Sequence, residues 1–405
     1  MPMIPVHEAL QIILSRTPPP RPCQVALEEA LGLVLAEDVY SDMLIPPFDR
    51  ATMDGYALCA ADATAQDAVL RVIGESAAGH GFGGTVGSGE AVRIMTGAPV
   101  PRGADTVQIV EKTSLRGDQV IIREPLEKGR NVAPAGSEVG VSDKLSAGRF
   151  IGPAEMAVLA SFGAAIVPAL CPPRVAVLAT GDELVDVAAK PGPDQIRNSN
   201  ALSLLCQIRS LHIEPTSLGT APDEEKALRL KMQEGVVHDV FLVTGGVSMG
   251  QYDLVGKTLS GMGAQIHFSR VAIKPGKPLT FATLEQRLVF GLPGNPVSGF
   301  VTFEVFVRPA IERLLGRSPG AIQIRARVGE RCVNHGPRDY YAPARTRWTG
   351  DFWEAEILKT RGSADIFRFS AADSLIILPA GSDTPPGAER TALLLSDYWE
   401  RTKSS

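Results

Sequence analysis

The sequence is poor in the residues that build metal and redox centres. Its five cysteines, Cys23, Cys59, Cys171, Cys206 and Cys332, are an odd number and widely spread. No two form a C-x-x-C pair, which leaves no basis for a zinc or thioredoxin-like site. Scattered reduced thiols of this kind fit the cytosol. Six histidines form no H-E-x-x-H, so a transition-metal site of His and Cys is not expected. No run of 18 apolar residues is present, so nothing is expected to span a membrane. The start, MPMIPVHEALQIIL, lacks the basic opening and long apolar core of a signal peptide, and a cytoplasmic protein is expected. There is no excess of positive charge: 40 Lys and Arg stand against 45 Asp and Glu, a net charge of −5. A general nucleic-acid binder needs a basic face to neutralise phosphates and is excluded on that count.

What is there is a soluble globular composition, 44% hydrophobic and 21% charged, over 405 residues. That length predicts two to four domains. The 40 glycines and 31 prolines predict many turns and short β connections. Residues 5–16 place Val6, Leu10, Ile13 and Leu14 at helical spacing, stopped by Thr17-Pro18-Pro19-Pro20. Residues 25–39 read as apolar and helix-forming, with Gly32 as a break. In 46–57, PPFDRATMDGYA, Asp49, Arg50 and Asp54 crowd a short turn that is either solvated or a host for a metal or an ammonium. Residues 69–145 alternate short apolar runs with glycines, the pattern of a small β-barrel or sandwich. A helix start stands at Pro153, and Cys171-Pro172-Pro173 marks a domain boundary.

From Arg174 the pattern becomes β-α-β-α. Apolar strands are expected at 174–181, 213–220 and 239–244, with further ones at 279–283 and from 288. Strands alternating with helices predict a parallel, doubly wound sheet, which binds ligands at the carboxyl ends of its strands. The loops after Thr180, Thr220, Thr244, Ile273 and Leu292 are therefore expected to converge. They would bring Asp182, Glu183, Asp223 and Asp253 together with Lys274 and Lys277. The stretch FLVTGGVSMGQYD (241–253) reads as an anion-binding loop, because glycine lets backbone N–H groups approach a phosphate. The nearby Gly256-Lys257-Thr258 only imitates a P-loop: Gln251 stands where that motif needs glycine. After Gly316 the sequence returns to alternating β.

These segments closely resemble the MoeA family, the molybdopterin molybdenumtransferases, which are related to the C-terminal domain of gephyrin. The resemblance rests on PPFDRATMDGYA (46–57), RIMTGAPVP (93–101), GRNVAPAGSEV (129–139), TGDEL (180–184), IRNSN (196–200), VTGGVSMGQYD (243–253), VAIKPGKPL (271–279) and GLPGNPVS (291–298), in that order. It implies a multidomain α/β protein. A central MogA-like, doubly wound three-layer α/β domain (174–318) would be flanked by a small β-barrel-like domain (45–143), an elongated linking and dimerisation domain (1–44 plus 144–173) and a C-terminal β-domain (319–405). It also implies a homodimer with a cleft between the MogA-like domain of one subunit and the small β-domain of the other. The implied reaction takes adenylylated molybdopterin and molybdate with Mg²⁺, releases AMP and leaves molybdenum on the dithiolene. A MogA-like molybdopterin adenylyltransferase is the implied partner. The alternative is a non-catalytic molybdopterin-binding scaffold of gephyrin type.

Carried over residue by residue, the resemblance gives catalytic roles to Asp54, Thr96, Glu183, Asp223 and Asp253. It assigns Mg²⁺ to Glu183, Asp182 and Asp253. Thr180, Gly181, Asp182, Ser199, Gly245, Gly246, Ser248, Pro293 and Asn295 would bind the substrate, with Lys274, Lys277 and Arg130 as hosts for anions and Ser363 as a ligand. These types suit the chemistry, since Mg²⁺ takes carboxylate oxygens and a phosphoanhydride needs its charge neutralised. Three departures stand out. Arg50-Ala51 follow Asp49 where the family usually has Asn or Lys and then Ser. Glu138 replaces an Asp. The arginine of an F-x-R-type strand is Arg338, Arg345 or absent, because Ala342-Pro343 occupies the middle.

Overall fold

The computed structural model describes residues 2–246 and 254–395. The chain forms two compact units. Met1–Ala36, Gly148–Gly152 and Pro168–Ser405 make the first, and Glu37–Ala147 with Pro153–Val167 make the second.

The first unit contains a six-stranded sheet. Its strands are β1 (Val175–Thr180), β2 (Thr216–Ala221), β3 (Val240–Thr244), β4 (Gln265–Arg270), β6 (Pro278–Leu284) and β7 (Arg287–Leu292); the short β5 (Ile273–Lys274) lies outside it. The spatial order is β2-β1-β3-β7-β6-β4. Every residue of β1 and of β3 is buried, as expected of strands covered on both faces. The helices between strands are α1 (Ser199–Arg209), α2 (Glu225–Gly235) and α3 (Leu254–Gly261). Asn198 caps α1 by accepting the Ala201 backbone N–H at 3.1 Å. Leu228 and Met232 of α2 join Val255 and Leu259 of α3 in one core over Phe241. Each such side chain contributes about 1.5–3 kcal/mol by leaving water. After β7, α4 (Pro296–Thr302) leads through a π turn into α5 (Arg308–Leu314).

Three expectations need correction. The sheet is not wholly parallel: β6 runs antiparallel to both β7 and β4. Leu284 pairs with Arg287 across a tight turn in which Glu285 has a φ of 55°, and so short a link leaves no room for a crossover helix. Residues 25–39 are not an α-helix; they hold the end of a strand, Pro22–Ala26, and a single 3₁₀ turn, Leu27–Glu29. The N–H groups of Gly32 and Leu35 donate to the Ile151 and Arg149 carbonyls, so tertiary partners rather than helical ones satisfy this backbone. The cysteines also differ from expectation. Cys23 and Cys171 form a disulfide, with Cα atoms 5.5 Å apart, so not all thiols are free.

The C-terminal part of the first unit is a closed five-stranded barrel. Its strands are β8 (Gln323–Val328), β9 (Asp339–Trp348), β10 (Trp353–Ile357), β11 (Ser374–Leu378) and β12 (Glu389–Leu394). The ring runs β9-β10-β8-β12-β11 and returns to β9. Its interior holds Ala326, Ala342, Ala344, Ala355 and Ala392 with Ile376 and Leu378, small side chains suited to so narrow a barrel. The short β5 adds in parallel to the start of β9, at Asp339 and Tyr340.

The second unit is built on another six-stranded sheet. Tyr56, Leu58, Leu70, Val120 and Ile122 fill one core, and Ala51, Ala57, Ile94 and Val107 another. No helix among the described residues is long and apolar enough to cross a membrane.

Candidate active site

The four parallel strands end level. Thr180 pairs with Ala221, Ala179 with Thr244, and Thr244 with Leu292. The loops that follow therefore leave the sheet side by side. All five expected loops line one cavity of about 780 Å³. Thr180, Gly181 and Glu183 come from the first, Asp223 from the second, and Gly245-Gly246 from the third. The fourth brings Lys274, Pro275, Gly276, Lys277 and Pro278, and the fifth brings Pro293, Gly294 and Asn295. Ser248 and Asp253 lie outside the described residues.

The third loop is shaped by close approach. Gly245 has a φ of 94°, and a Cβ there would lie 2.3 Å from the Thr180 carbonyl oxygen. Only glycine meets both conditions. Thr180 is 2% exposed, and its hydroxyl has no hydrogen-bond partner among the described residues. A buried hydroxyl without a partner is costly, and a ligand in this cavity is the group that would satisfy it. Asn200, the second residue of α1, donates through Nδ2 to the Gly294 carbonyl at 2.6 Å and ties the first helix to the fifth loop. Ser199 is exposed at the start of α1 and does not line the cavity.

Acids gather at one side. The Asp182 Oδ1 accepts the backbone N–H of Asp223 at 3.1 Å. Burial, together with the charges of Asp182 and Glu183, pushes the Asp223 carboxyl above its ordinary value. No three His, Cys, Asp or Glu groups among the described residues converge on a single metal position.

Cations and the barrel occupy the other side. Lys274 Nζ lies 4.5 Å from the centre of the Tyr340 ring. Arg338 donates through Nη1 to the Ile273 carbonyl at 3.2 Å and lines the cavity. Arg345 does not; its Nε donates to the Ala371 carbonyl, beside a separate hollow of about 1060 Å³ on the barrel. That hollow is larger and is lined in part by two ion pairs, Arg347 with Glu354 and Lys359 with Glu330, and none of the five loops reaches it. Ser363 lines the main cavity, its Oγ accepting from Asn295 Nδ2 at 2.9 Å.

The remaining residues stand in the second unit. Asp54 Oδ1 accepts both the backbone N–H and the hydroxyl of Thr96, each at 2.7 Å. These bonds, the backbone one foremost, and the nearby charge of Arg93 hold its carboxyl below the ordinary range. The turn is set by Gly55, where a Cβ would come within 1.8 Å of the Gln108 carbonyl oxygen. Arg130 is paired with Glu124 at 2.7 Å.

Comparison with known proteins places this arrangement. Residues 4–163 match the MoeA N-terminal region (domains I and II), and residues 176–313 match a probable molybdopterin binding domain. A molybdopterin molybdenumtransferase of Staphylococcus aureus (strain COL) is 34% identical over 386 residues, covering 94% of this chain and 92% of its own. The chain belongs to the MoeA family. A molybdopterin molybdenumtransferase of Haemophilus influenzae is 38% identical over 322 residues, 78% of each chain. The crystal structure of a molybdopterin biosynthesis MoeA protein from Pyrococcus horikoshii superposes with a TM-score of 0.81 at 31% identity, over 97% of this chain and 99% of that one. The protein is thus a transferase of molybdenum cofactor biosynthesis.

Against the MoeA pattern, two of the departures answer each other. Arg50 Nη2 and Glu138 Oε1 form an ion pair at 2.5 Å, so the added positive charge and the longer acid meet. For the third, the structure gives the position of each residue. Of the two candidate arginines, Arg338 faces the cavity, and Pro343 lines it as well. Sequence reasoning missed Asn200, Tyr340 and Thr360. The IRNSN motif carries Asn200 in plain view, but nothing local marks Tyr340, whose place depends on the pairing of β5 with β9.

Proposed function

We propose that this chain is a molybdenum insertase: it takes adenylylated molybdopterin and molybdate, cleaves the adenylate with release of AMP, and leaves molybdenum on the dithiolene. The observation that carries this reading is one cavity holding the ends of five sheet loops, with carboxylates on one side and Lys274, Lys277 and Arg338 on the other. Neither lysine is paired with a carboxylate among the described residues, so both charges are free for an anion. The glycine turn beside Thr180 brings Gly245 and Gly246 to the cavity wall, with the Gly245 N–H held by the Leu292 carbonyl at 3.2 Å. Lysines and arginine neutralise charge as the phosphoanhydride opens, and the walls keep the reacting groups aligned.

The acids fit a hard divalent cation. Burial first, and then the charges of Asp182 and Glu183, raise the Asp223 carboxyl; a bound cation would offset both, and carboxylate oxygens suit Mg²⁺. Asp182, Glu183 and Asp253 would hold the ion, which supplies charge neutralisation at the phosphate when bound. In this reading the protein works in the cytoplasm as a homodimer, with Asp54 and Thr96 completing the site from the second copy. A MogA-like adenylyltransferase delivers the substrate.

The test is incubation of the purified protein with adenylylated molybdopterin, Mg²⁺ and molybdate. AMP release that depends on molybdate is expected; its absence would sink the reading. Light scattering checks the second element, which a fully active monomer would refute.

A further inference from the structure

We infer that Tyr340 is a positioning residue for Lys274: its ring holds the ammonium at the cavity edge without neutralising it. The inference rests on the proposed role of Lys274 as host for the oxyanion. Tyr340 enters the site because β5 adds in parallel to β9, setting Lys274 directly beside Tyr340 in register. The Arg338 bond to the Ile273 carbonyl and the Asp339 N–H bond to the Ala272 carbonyl, at 3.0 Å, fix that register immediately ahead of Lys274. The lysine Nζ then lies 4.5 Å from the ring centre, within the range of a cation–π contact. The residue itself is held in place. Tyr340 is half-buried, and its backbone is fixed by pairing with Leu378 of β11, while Thr360 stands on the same cavity wall.

The choice of partner has a chemical consequence. A carboxylate beside Lys274 would hold it but cancel its charge. An aromatic face attracts the ammonium through its quadrupole and takes none of its N–H donors, which stay available to an oxyanion. A free lysine chain would lose rotamer freedom on binding the anion, and the ring meets that cost in advance.

The test is calorimetric titration of the full-length protein with molybdate alone. Tyr340→Leu is expected to weaken binding about three- to tenfold, while Tyr340→Phe, which keeps the ring and loses only the hydroxyl, binds within about twofold of the wild type. In a Lys274→Met background the Leu substitution has no further effect. Thermal melts of all variants control for folding. If Lys274→Met weakens binding and Tyr340→Leu does not, the positioning role is wrong. It is equally wrong if Tyr340→Leu weakens binding by the same factor in both backgrounds, since that is what a general structural role produces. If the wild type does not bind molybdate, or Lys274→Met leaves binding intact, the anion role of Lys274 in the proposed function falls, and this inference with it.

Discussion

The Asp182 carboxylate accepts the backbone N–H of Asp223, and the two acids are thereby held side by side at the sheet edge. The consequence is a stability cost that depends on pH. The Asp223 carboxyl is raised in the folded protein, so the folded state holds that proton more tightly than the unfolded one. Stability from this group is present at acid pH and is lost as pH rises from the ordinary carboxylate value through the raised one. Asp223→Asn is therefore expected to raise the Tm of the metal-free protein at neutral pH, with the gain vanishing towards acid pH. Added Mg²⁺ should raise the Tm of the wild type more than that of the variant. Scanning calorimetry across pH, with and without Mg²⁺, decides both points.

Arg338 and Arg345 line different hollows although only seven residues apart along the chain. Arg338→Ala should weaken molybdate binding by about 1.5–3 kcal/mol, on the order of tenfold or more, as expected for loss of a charged hydrogen bond. Arg345→Ala should leave it unchanged, because that side chain lines a different hollow. Parallel titrations of the two variants settle the matter; equal losses would place the anion elsewhere.

Gly245→Ala meets two penalties at once, a φ of 94° and a Cβ 2.3 Å from the Thr180 carbonyl. The backbone strain alone is about 1–3 kcal/mol. Urea denaturation should show at least that loss. Substrate affinity should fall as well, since the shift needed to relieve the clash moves Thr180.

Arg308 bridges two carboxylates below the cavity loops, donating to Glu304 at 2.8 Å and to Glu312 at 3.0 Å. All three are buried, at 6%, 4% and 8% exposure. Glu304 also accepts from Gln207 at 2.7 Å, and Glu312 from the Gly320 N–H at 2.6 Å. Arg308→Met would leave two buried acids uncompensated and should cost about 3–5 kcal/mol in urea denaturation. A loss below about 1 kcal/mol would mean that water or a rearranged partner reaches them.

Much of the site is legible in the chain itself. Sheet strands such as VAVLAT and VFLVT announce themselves by continuous apolar runs, and their period places the polar loops at one edge. The family motifs add which acids and lysines matter. Less legible are the β6–β7 hairpin, which breaks the parallel rule, and the segment at 25–39, whose apolar composition suits a helix but whose backbone bonds to residues 149 and 151 instead. Local propensity carries no information about such distant partners.

The sequence by itself determined which loop residues the cavity would gather: Glu183, Asp223, Lys274 and Lys277 line it, each on a loop whose place along the chain follows from hydrophobic period. Only the tertiary structure decided which residues of the barrel join them. That Arg338, Tyr340 and Ser363 line the cavity while Arg345 does not depends on the closure of five strands and on β5 adding to β9. Strand register across such separations is set by packing of the whole barrel, and a one-residue shift would have turned the other face of β9 towards the site.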